Sequence, residues 1–363
     1  MSILSREKHL HRTILVCGVV SLAALLSVQV FSPRRTLTWS VEMLGAARRM
    51  EEAIQVIQAG RSDLISEHDL NATGLIGPEY GDLFTSLGDI EAKRTTTSPD
   101  MAALLVHLLE SAGVERGDWV AVGCSASFPA LYVAIMSATE VLGVHPVVII
   151  SFGSSSWGAT DSRSTILDIH ERLLDHGVIT SHPAAISLGG TDDTGREFEP
   201  DVRGALMERI ESSGIPFIRE PDLRRNVAAR MLMYAGEGRE EACAAFVNVG
   251  GAYANMGTSP LVLDLEPGLN RELELPDQEK WGVLFEMAAS GIPVLHLLHI
   301  RGLALRFGLP WDPVPLPEAG SAQFHDTEAG NGPLFLPIAC LYLLSLAVTI
   351  FFGMIKPSQL VEE

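Results

Sequence analysis

Short apolar segments rich in valine and isoleucine alternate with longer helical patterns over residues 96–320. The segments include DWVAVGC, PVVIISF, AAISLGG and CAAFVNVGG. This alternation predicts a largely parallel sheet, because a crossover helix returns the chain to the same end of the sheet and covers one of its faces. We therefore predict an α/β fold: a three-layer Rossmann-like domain with a mostly parallel sheet over residues 96–320.

An amphipathic helix and a glycine-rich connector are predicted ahead of this domain, over residues 36–95. The helix carries apolar residues at alternating spacings of four and three, which is the stripe of a helix packed on one face; these are Met43, Ala47, Met50, Ile54 and Ile57. Ser98 is expected to cap the next helix and Gly113 to end it.

Two long uncharged runs stand near the ends of the chain, at residues 13–31 and 333–355. Each has the roughly 20 residues that a helix needs to cross a bilayer. A signal peptide is an alternative for the first run, and a buried core helix is an alternative for the second. We expect one N-terminal and one C-terminal transmembrane helix, with short tails at residues 1–12 and 356–363.

The chain is strongly acidic, with a formal net charge of −19 that is concentrated in residues 36–330. Such a domain repels phosphates, so nucleic acid is not expected as a partner. Basic residues in the two tails favour cytoplasmic termini and an extracytoplasmic α/β domain. The sequence thus predicts a cell-membrane protein with two spans.

Several common signatures are missing from the sequence. It has no Walker loop, no G-x-G-x-x-G after a strand, no paired C-x-x-C and no H-E-x-x-H. We therefore predict no cofactor and no catalytic metal. Cys124 and Cys243 fall at opposite ends of predicted parallel strands, too far apart for a disulfide.

Five small, polar or histidine-bearing turns follow the predicted strands, at residues 123–127, 153–161, 189–195, 248–257 and 296–299. Parallel strands bring such turns to one edge of the sheet, where ligands bind. Ordinary turn chemistry is the plainer explanation for any one of them. The candidate ligand-binding residues are Ser125, Ser127, Ser154, Ser155, Trp157, Gly189, Gly190, Asn248, Gly250, Gly251 and His299.

Ser125 has two interpretations. It resembles the serine of a G-x-S-x-G nucleophile elbow, and the chain order Ser125, then Asp161 or Asp192, then His299 or His296, matches a Ser-acid-His triad. The second glycine of the elbow is replaced by Ser127, however. The alternative is that Ser127 caps a helix whose first N–H groups accept a carboxylate or phosphate beside the Ser125 hydroxyl.

The acidic loop at residues 192–201 also has two interpretations. Its carboxylates, among them Asp192 and Asp193, are suitable oxygen ligands for a divalent cation. A solvated acidic loop requires no ligand and explains the same residues.

The motifs resemble those of the poly-γ-glutamate system proteins, accessory membrane proteins of poly-γ-glutamate capsule synthesis. The resemblance is carried by GCSASFPALYVAIMSATEVLG, VVIISFGSSSWGATD, ILDIHERL, AAISLGGTDDTG and GIPVLHLLHIRGLALRFGLPWDPVPLP, and covers about residues 95–320. Ala126 stands where the family has glycine. The resemblance implies a pathway, with the membrane subunits of the synthase as partners, and it implies no particular reaction.

Three hypotheses follow. The first is a membrane-anchored accessory protein whose α/β domain binds a carboxylate-bearing ligand, an anionic small molecule or polymer, or the synthase subunits. The second is a serine hydrolase or transferase that acts on the polymer with Ser125 as nucleophile, and the third is a scaffold without a small-molecule site. An anionic ligand requires local positive charge on this acidic chain, for which helix N-termini, Arg230, His299 and Arg301 are candidates.

Overall fold

The computed structural model describes residues 14–24, 35–61, 65–236, 243–326 and 335–354. The chain divides into two units, one formed by Met1–Leu37 with His325–Glu363 and the other by Thr38–Phe324. The second unit, here called the α/β unit, contains both the predicted amphipathic helix and the predicted sheet.

The described residues contain eleven strands and twelve α-helices. The strands are β1 (Arg35–Thr36), β2 (Phe84–Ser86), β3 (Trp119–Ser125), β4 (His145–Ser151), β5 (Ser154–Ser155), β6 (Pro183–Ser187), β7 (Phe217–Ile218), β8 (Ala245–Val249), β9 (Gly268–Asn270), β10 (Val294–Leu297) and β11 (His325–Asp326). The helices are α1 (residues 14–24), α2 (Val41–Gly60), α3 (Ile90–Thr96), α4 (Asp100–Ala112), α5 (Pro129–Leu142), α6 (Ile166–Asp175), α7 (Pro200–Ser213), α8 (Leu223–Ala235), α9 (Tyr253–Met256), α10 (Val283–Ala289), α11 (Ile300–Phe307) and α12 (Phe335–Met354).

A seven-stranded sheet forms the centre of the α/β unit, in the order β7-β6-β4-β3-β8-β10-β9. Every neighbouring pair is parallel except β10 and β9, which pair antiparallel at one edge. The chain adds β4, β6 and β7 on one side of β3 and then crosses to add β8 on the other. The strand order therefore reverses between β3 and β8, the position at which open α/β sheets bind ligands.

Helices pack on the sheet and on one another. The amphipathic helix α2 contacts α4, α5 and α6, and its predicted apolar stripe is buried. A separate core cluster joins β-strand side chains such as Phe246 to α8 and α10 through Val227 and Phe285. The α/β unit is thus a mixed α/β structure whose mostly parallel sheet is flanked by helices, which confirms the α/β class and the mostly parallel sheet of the prediction.

Most of the predicted elements are present, and the structure adds elements that the sequence did not predict. The segment that contains α3 was predicted as a connector without regular structure, and the antiparallel edge strand β9 was not predicted. One predicted cap is also wrong, because the Ser98 hydroxyl does not cap α4. The carboxylate of Asp100, at the start of this helix, accepts hydrogen bonds from the N–H groups of Gly320 and Ala322, both at 2.7 Å.

The smaller unit contains both of the predicted membrane spans. Within it, β1 and β11 pair antiparallel, and the hydroxyls of Ser21 and Tyr342 lie 3.0 Å apart. Among the residues that the structure describes, no helix combines the length and the apolar character needed to cross a bilayer. This finding contradicts the predicted two-span localisation.

All four cysteines are free: Cys17, Cys124, Cys243 and Cys340. Cys124 and Cys243 are both buried, and burial raises the pKa of the Cys124 thiol. Neither has the exposed, electropositive environment of a reactive cysteine.

A buried ion pair joins the carboxyl ends of β4 and β6 to α8. Arg230 and Asp193 lie 2.8 Å apart with side chains that are 0% and 1% exposed. Arg230 also donates to the Ser187 hydroxyl at 2.8 Å, and Ser187 is 2.8 Å from the Ser151 hydroxyl. Arg230 therefore supplies no free positive charge to the sheet edge, contrary to the prediction.

Removing one member of this pair leaves the other charge buried without compensation. We expect Arg230→Met to lower the free energy of unfolding by about 3–5 kcal/mol, as for other broken buried pairs. The matched control is Arg219→Met, which breaks an exposed pair with Glu211 and is expected to cost less than about 1 kcal/mol. Urea unfolding of both variants measures the difference, and equal losses would contradict the assignment.

Candidate functional site

A cavity of about 640 Å³ opens at the carboxyl ends of the central strands. All five predicted turns contribute residues to its wall, and so does the segment from β2 to α3. Its size suits a small ligand. The polar or charged side chains that line it are Thr85, Ser86, Asp89, Lys93, Ser125, Ser127, Ser151, Ser155, Thr191, Glu197, Tyr253, His299, Arg301 and Trp311.

Seven of the twelve predicted site residues line this cavity. They are Ser125, Ser127, Ser155, Gly189, Gly190, Gly251 and His299. The other five are not among the described residues of the wall, and they are Ser154, Trp157, Asp161, Asn248 and Gly250.

Ser125 ends β3 at the cavity wall, where it is 2% exposed. Its hydroxyl lies 3.5 Å from the carbonyl oxygen of Val249, and among the described residues no histidine or lysine forms a hydrogen bond with it. The next turn approaches closely: a Cβ on Gly250, which has a φ of +77°, would overlap the Ser125 hydroxyl. Within the described ranges, Ser125 therefore has no hydrogen-bonded base of the kind that a nucleophilic serine needs.

Ser127 does not cap the following helix, contrary to the prediction. The N-cap of α5 is Phe128, which makes no side-chain cap bond. The Ser127 hydroxyl instead accepts a hydrogen bond of 3.0 Å from the backbone N–H of Ser155, so it ties the turn after β3 to β5. The first turn of α5 begins at the cavity wall without a side-chain cap, so the partial positive charge of its N–H groups is not offset by a side-chain oxygen.

Three residues of the GSSSWGATD turn pack inside the protein or pair locally. The Ser154 hydroxyl donates to the carbonyl of Ala126 at 3.1 Å. Trp157 has a φ of +67°, and its ring meets the edge of the His68 ring at a centroid distance of 4.5 Å. Asp161 pairs with Arg163 at 2.7 Å, which lowers the pKa of the Asp161 carboxyl.

The two histidines of HLLH lie in different environments, as their spacing predicts. His296 is buried, its Nδ1 is 3.1 Å from the Asn248 amide nitrogen, and burial lowers the pKa of His296 to about 4. His299 is exposed and lines the cavity as the N-cap residue of α11. His299 and Asp161 therefore do not form a triad with Ser125.

Three carboxylates of the acidic loop have protein partners. Asp193 pairs with Arg230, Asp192 pairs with Arg196, and Glu197 accepts hydrogen bonds from Thr191. Within the described ranges, no group of three or more potential ligands is arranged to hold a metal ion.

The prominent group of the cavity is one that the sequence patterns missed, Lys93 on α3. The residue is 2% exposed, and its Nζ donates to the carbonyl oxygen of Ser127 and to the hydroxyl of Ser155 at 2.7 Å. The same nitrogen lies 3.8 Å from the centroid of the Phe128 ring. None of the ion pairs found among the described residues includes Lys93.

Burial dominates the protonation of this amine. Removal from water lowers the pKa of Lys93 to about 7, and Asp89 at the start of α3 opposes that shift only in part. The amine therefore exchanges its proton near neutral pH, which suits it both to anion binding and to proton transfer.

One sequence signal could have pointed to Lys93. Only four of the 26 Lys and Arg residues of the chain are lysines. Two of them, Lys93 and Lys280, lie in the α/β unit. Lysine loses its proton when it is buried, whereas arginine keeps its charge. A lysine in an arginine-rich domain is therefore a candidate for a role that requires a titrating amine.

Further charges line the cavity from other elements. The Arg301 guanidinium lies 5.4 Å from the centroid of the Trp311 ring, at the start of α11. The α3 helix is held against the 311–312 segment by a bidentate pair of Arg94 with Asp312, at 2.6 and 2.5 Å. This contact fixes the helix that carries Lys93.

Comparisons with known proteins assign no family. No family model and no curated protein matches the chain. A solved structure that it resembles weakly is the alpha-aminoadipate aminotransferase LysN of Thermus thermophilus, complexed with N-(5'-phosphopyridoxyl)-L-leucine, at 12% identity and a TM-score of 0.16. The match covers 89% of this chain and 64% of that chain, so this chain spans less than two thirds of the other protein. A TM-score this low indicates neither a shared fold nor a shared function.

The burial of Lys93 makes stability depend on pH. Between about pH 7 and the ordinary lysine value of 10.5, the unfolded chain holds a proton on Lys93 that the folded chain has lost, so this group makes stability rise with pH. Urea unfolding at several pH values gives the slope of the free energy of unfolding against pH. We expect this slope to be lower for Lys93→Met than for the native chain by about 1.4 kcal/mol per pH unit in this window. Lys280→Met, which removes an exposed lysine, should leave the slope unchanged. Parallel slopes for all three proteins would contradict the shifted pKa.

Proposed function

We propose that the α/β unit binds a carboxylate-bearing ligand in the cavity, as an accessory protein of poly-γ-glutamate synthesis or export. The ligand class is supported by one observation above all: the amine of Lys93 is buried in the cavity wall among hydroxyls and a carbonyl, with no carboxylate paired to it among the described residues. The pathway is supported by the motif resemblance. Binding to the synthase subunits is a further prediction of that resemblance.

Elementary electrostatics favours this ligand class. A charged amine taken out of water is stabilised by an opposite charge at contact distance. A carboxylate that enters the cavity meets Lys93 and the hydroxyls of Ser125 and Ser155, near the uncapped first turn of α5. Hydrogen bonds in which one partner is charged are among the strongest that a protein makes.

The position of the cavity agrees with this proposal. It lies beside the reversal of strand order between β3 and β8, where Rossmann-like domains bind their ligands, and we place the unit in that class. Arg301 and the protonated form of Lys93 also give the wall local positive charge in a chain of net charge −19. Charges elsewhere on the surface are screened beyond roughly 8 Å at physiological ionic strength, so the local groups dominate at contact.

Calorimetric titration with γ-L-glutamyl-L-glutamate tests the proposal. Binding needs the protonated amine, and that fraction falls about tenfold for each pH unit above the Lys93 pKa of about 7. We therefore expect affinity to be greatest below pH 7 and to weaken by up to about tenfold per unit between pH 7.5 and 9.

Two variants complete the test. Lys93→Met keeps an unbranched apolar stem and removes the amine, so it should abolish measurable binding. Lys280→Met is the matched control and should bind like the native chain. Binding that survives in Lys93→Met, or that shows no pH dependence, would contradict the proposed site; absence of binding in the native chain at any pH would favour the scaffold hypothesis.

A further inference from the structure

The contact between Ser155 and Lys93 has the geometry of a nucleophile and its base. The Ser155 hydroxyl oxygen lies 2.7 Å from Lys93 Nζ, both residues line the cavity, and Ser155 is 8% exposed. We propose that Ser155 and Lys93 form a catalytic dyad that transfers the acyl group of an amide or ester substrate to water. This activity goes beyond ligand binding, and its carboxylate product is the class of ligand proposed above.

Ser155 differs from Ser125 in the feature that matters for nucleophilic chemistry. A serine hydroxyl is a weak nucleophile until an adjacent base removes its proton, and lysine serves as that base in known variants of the serine triad. Lys93 forms its side-chain hydrogen bond with Ser155, whereas the hydroxyl of Ser125 faces the carbonyl of Val249. The nucleophile is therefore one turn further along the sheet edge than the sequence pattern suggested.

Surrounding contacts hold both members of the dyad in place. β5 pairs in parallel with β2, and the N–H of Ser155 donates to the Ser127 hydroxyl at 3.0 Å. Lys93 is fixed by its hydrogen bond to the carbonyl of Ser127. Catalytic groups held by such contacts need little reorganisation during a reaction.

Gly88 allows the backbone to approach the dyad closely. A Cβ at this position would lie 3.2 Å from the Ser155 hydroxyl oxygen, 3.2 Å from Lys93 Cε and 2.7 Å from the carbonyl oxygen of Ser156. The lack of a side chain at Gly88 therefore leaves the Ser155–Lys93 contact undisturbed at the cavity wall.

The proposed reaction has two steps. In the first, neutral Lys93 takes the hydroxyl proton while Ser155 Oγ bonds to the substrate carbonyl carbon; the bond from that carbon to the leaving amine or alcohol then breaks, and the Lys93 ammonium returns the proton to the leaving group. In the second, Lys93 takes a proton from water, whose oxygen attacks the acyl carbon, and the bond to Ser155 breaks. Ser155 regains a proton, and the acyl group leaves as a carboxylate with its acid proton released.

The product explains why one amine serves both roles. Neutral Lys93 accepts protons during the reaction, and charged Lys93 pairs with the carboxylate that the reaction forms. The titratable groups that share its surroundings are Asp89 on the same helix start and, from other walls of the cavity, Glu197 and His299. Arg301 adds a fixed positive charge to the cavity wall.

Diisopropyl fluorophosphate tests the dyad on the full-length chain without knowledge of the substrate. The reagent forms a phosphorus–oxygen bond with an activated serine and releases fluoride, and mass spectrometry of peptides identifies the modified residue. We expect modification of Ser155, at a rate that rises about tenfold from pH 6 to pH 8, because the neutral fraction of an amine with a pKa of about 7 rises by that factor. Ser155→Ala and Lys93→Met should each reduce labelling by at least 100-fold.

Control variants separate chemistry from folding. Ser212→Ala, on the exposed face of α7, and Lys280→Met should be labelled at the native rate. Thermal unfolding of every variant identifies any that fail to fold. If Lys93→Met does not fold, the conservative Ser155→Ala variant still tests the dyad. Labelling of Ser125 instead of Ser155, or labelling that Lys93→Met leaves intact, would overturn the dyad.

Titration of the same variants with γ-L-glutamyl-L-glutamate distinguishes the two proposals. Ser155→Ala should lose all labelling but keep measurable carboxylate binding, because Lys93 keeps its amine, whereas Lys93→Met should lose both. Native binding with no labelling of Ser155 would overturn the dyad and leave the binding proposal standing. Labelling of Ser155 without carboxylate binding would have the opposite meaning: the dyad would stand, and the ligand class would be wrong.

Discussion

Parallel pairing of β3 with both β4 and β8 is the constraint on which the rest of the α/β unit depends. Parallel strands end at the same edge of the sheet, so the pairing brings together the turns after β3, β4 and β8, which are far apart in sequence. Gly250 can then lie against Ser125, and Ser155 against Ser127. The buried pair of Arg230 with Asp193 secures the neighbouring ends of β4 and β6.

The cavity shows why net charge is a poor guide to what a protein binds. The chain carries a charge of −19, yet its cavity wall includes an amine that lacks an acidic partner among the described residues. Net charge governs solubility and long-range steering, whereas a bound ligand responds to the groups at contact distance. Arg301 and the protonated form of Lys93 supply the local positive charge that an anionic ligand requires, although Lys93 was not among the residues considered from the sequence.

Where sequence patterns succeeded, local signals and periodicity agreed. The helix α7 illustrates this, since Pro200 occupies its first turn and Gly214 adopts the left-handed conformation that ends it, and both residue types are sequence signals for those positions. The meeting of the turns at one edge of the sheet was predicted from the parallel arrangement of the strands alone. By contrast, the seven-residue helix α3 buries Ala92, Lys93, Thr95 and Thr96, a face without the apolar periodicity that marks a buried helix. Trp157 was placed wrongly as a cavity wall because its direction is set by a positive φ and by contact with distant His68.

The choice of lysine at position 93 connects the fold to the proposed chemistry. Where the chain needs a permanent buried charge, at Arg230, it uses arginine and supplies a carboxylate partner. At position 93 it supplies hydroxyl and carbonyl partners instead, which an amine satisfies in either protonation state. A guanidinium there would remain charged at every accessible pH and could not remove a proton from Ser155. A side chain that never carries a charge could not pair with the product carboxylate. An amine that burial brings close to neutral pH fits both requirements, and its burial follows from the packing of α3 against the turn after β3.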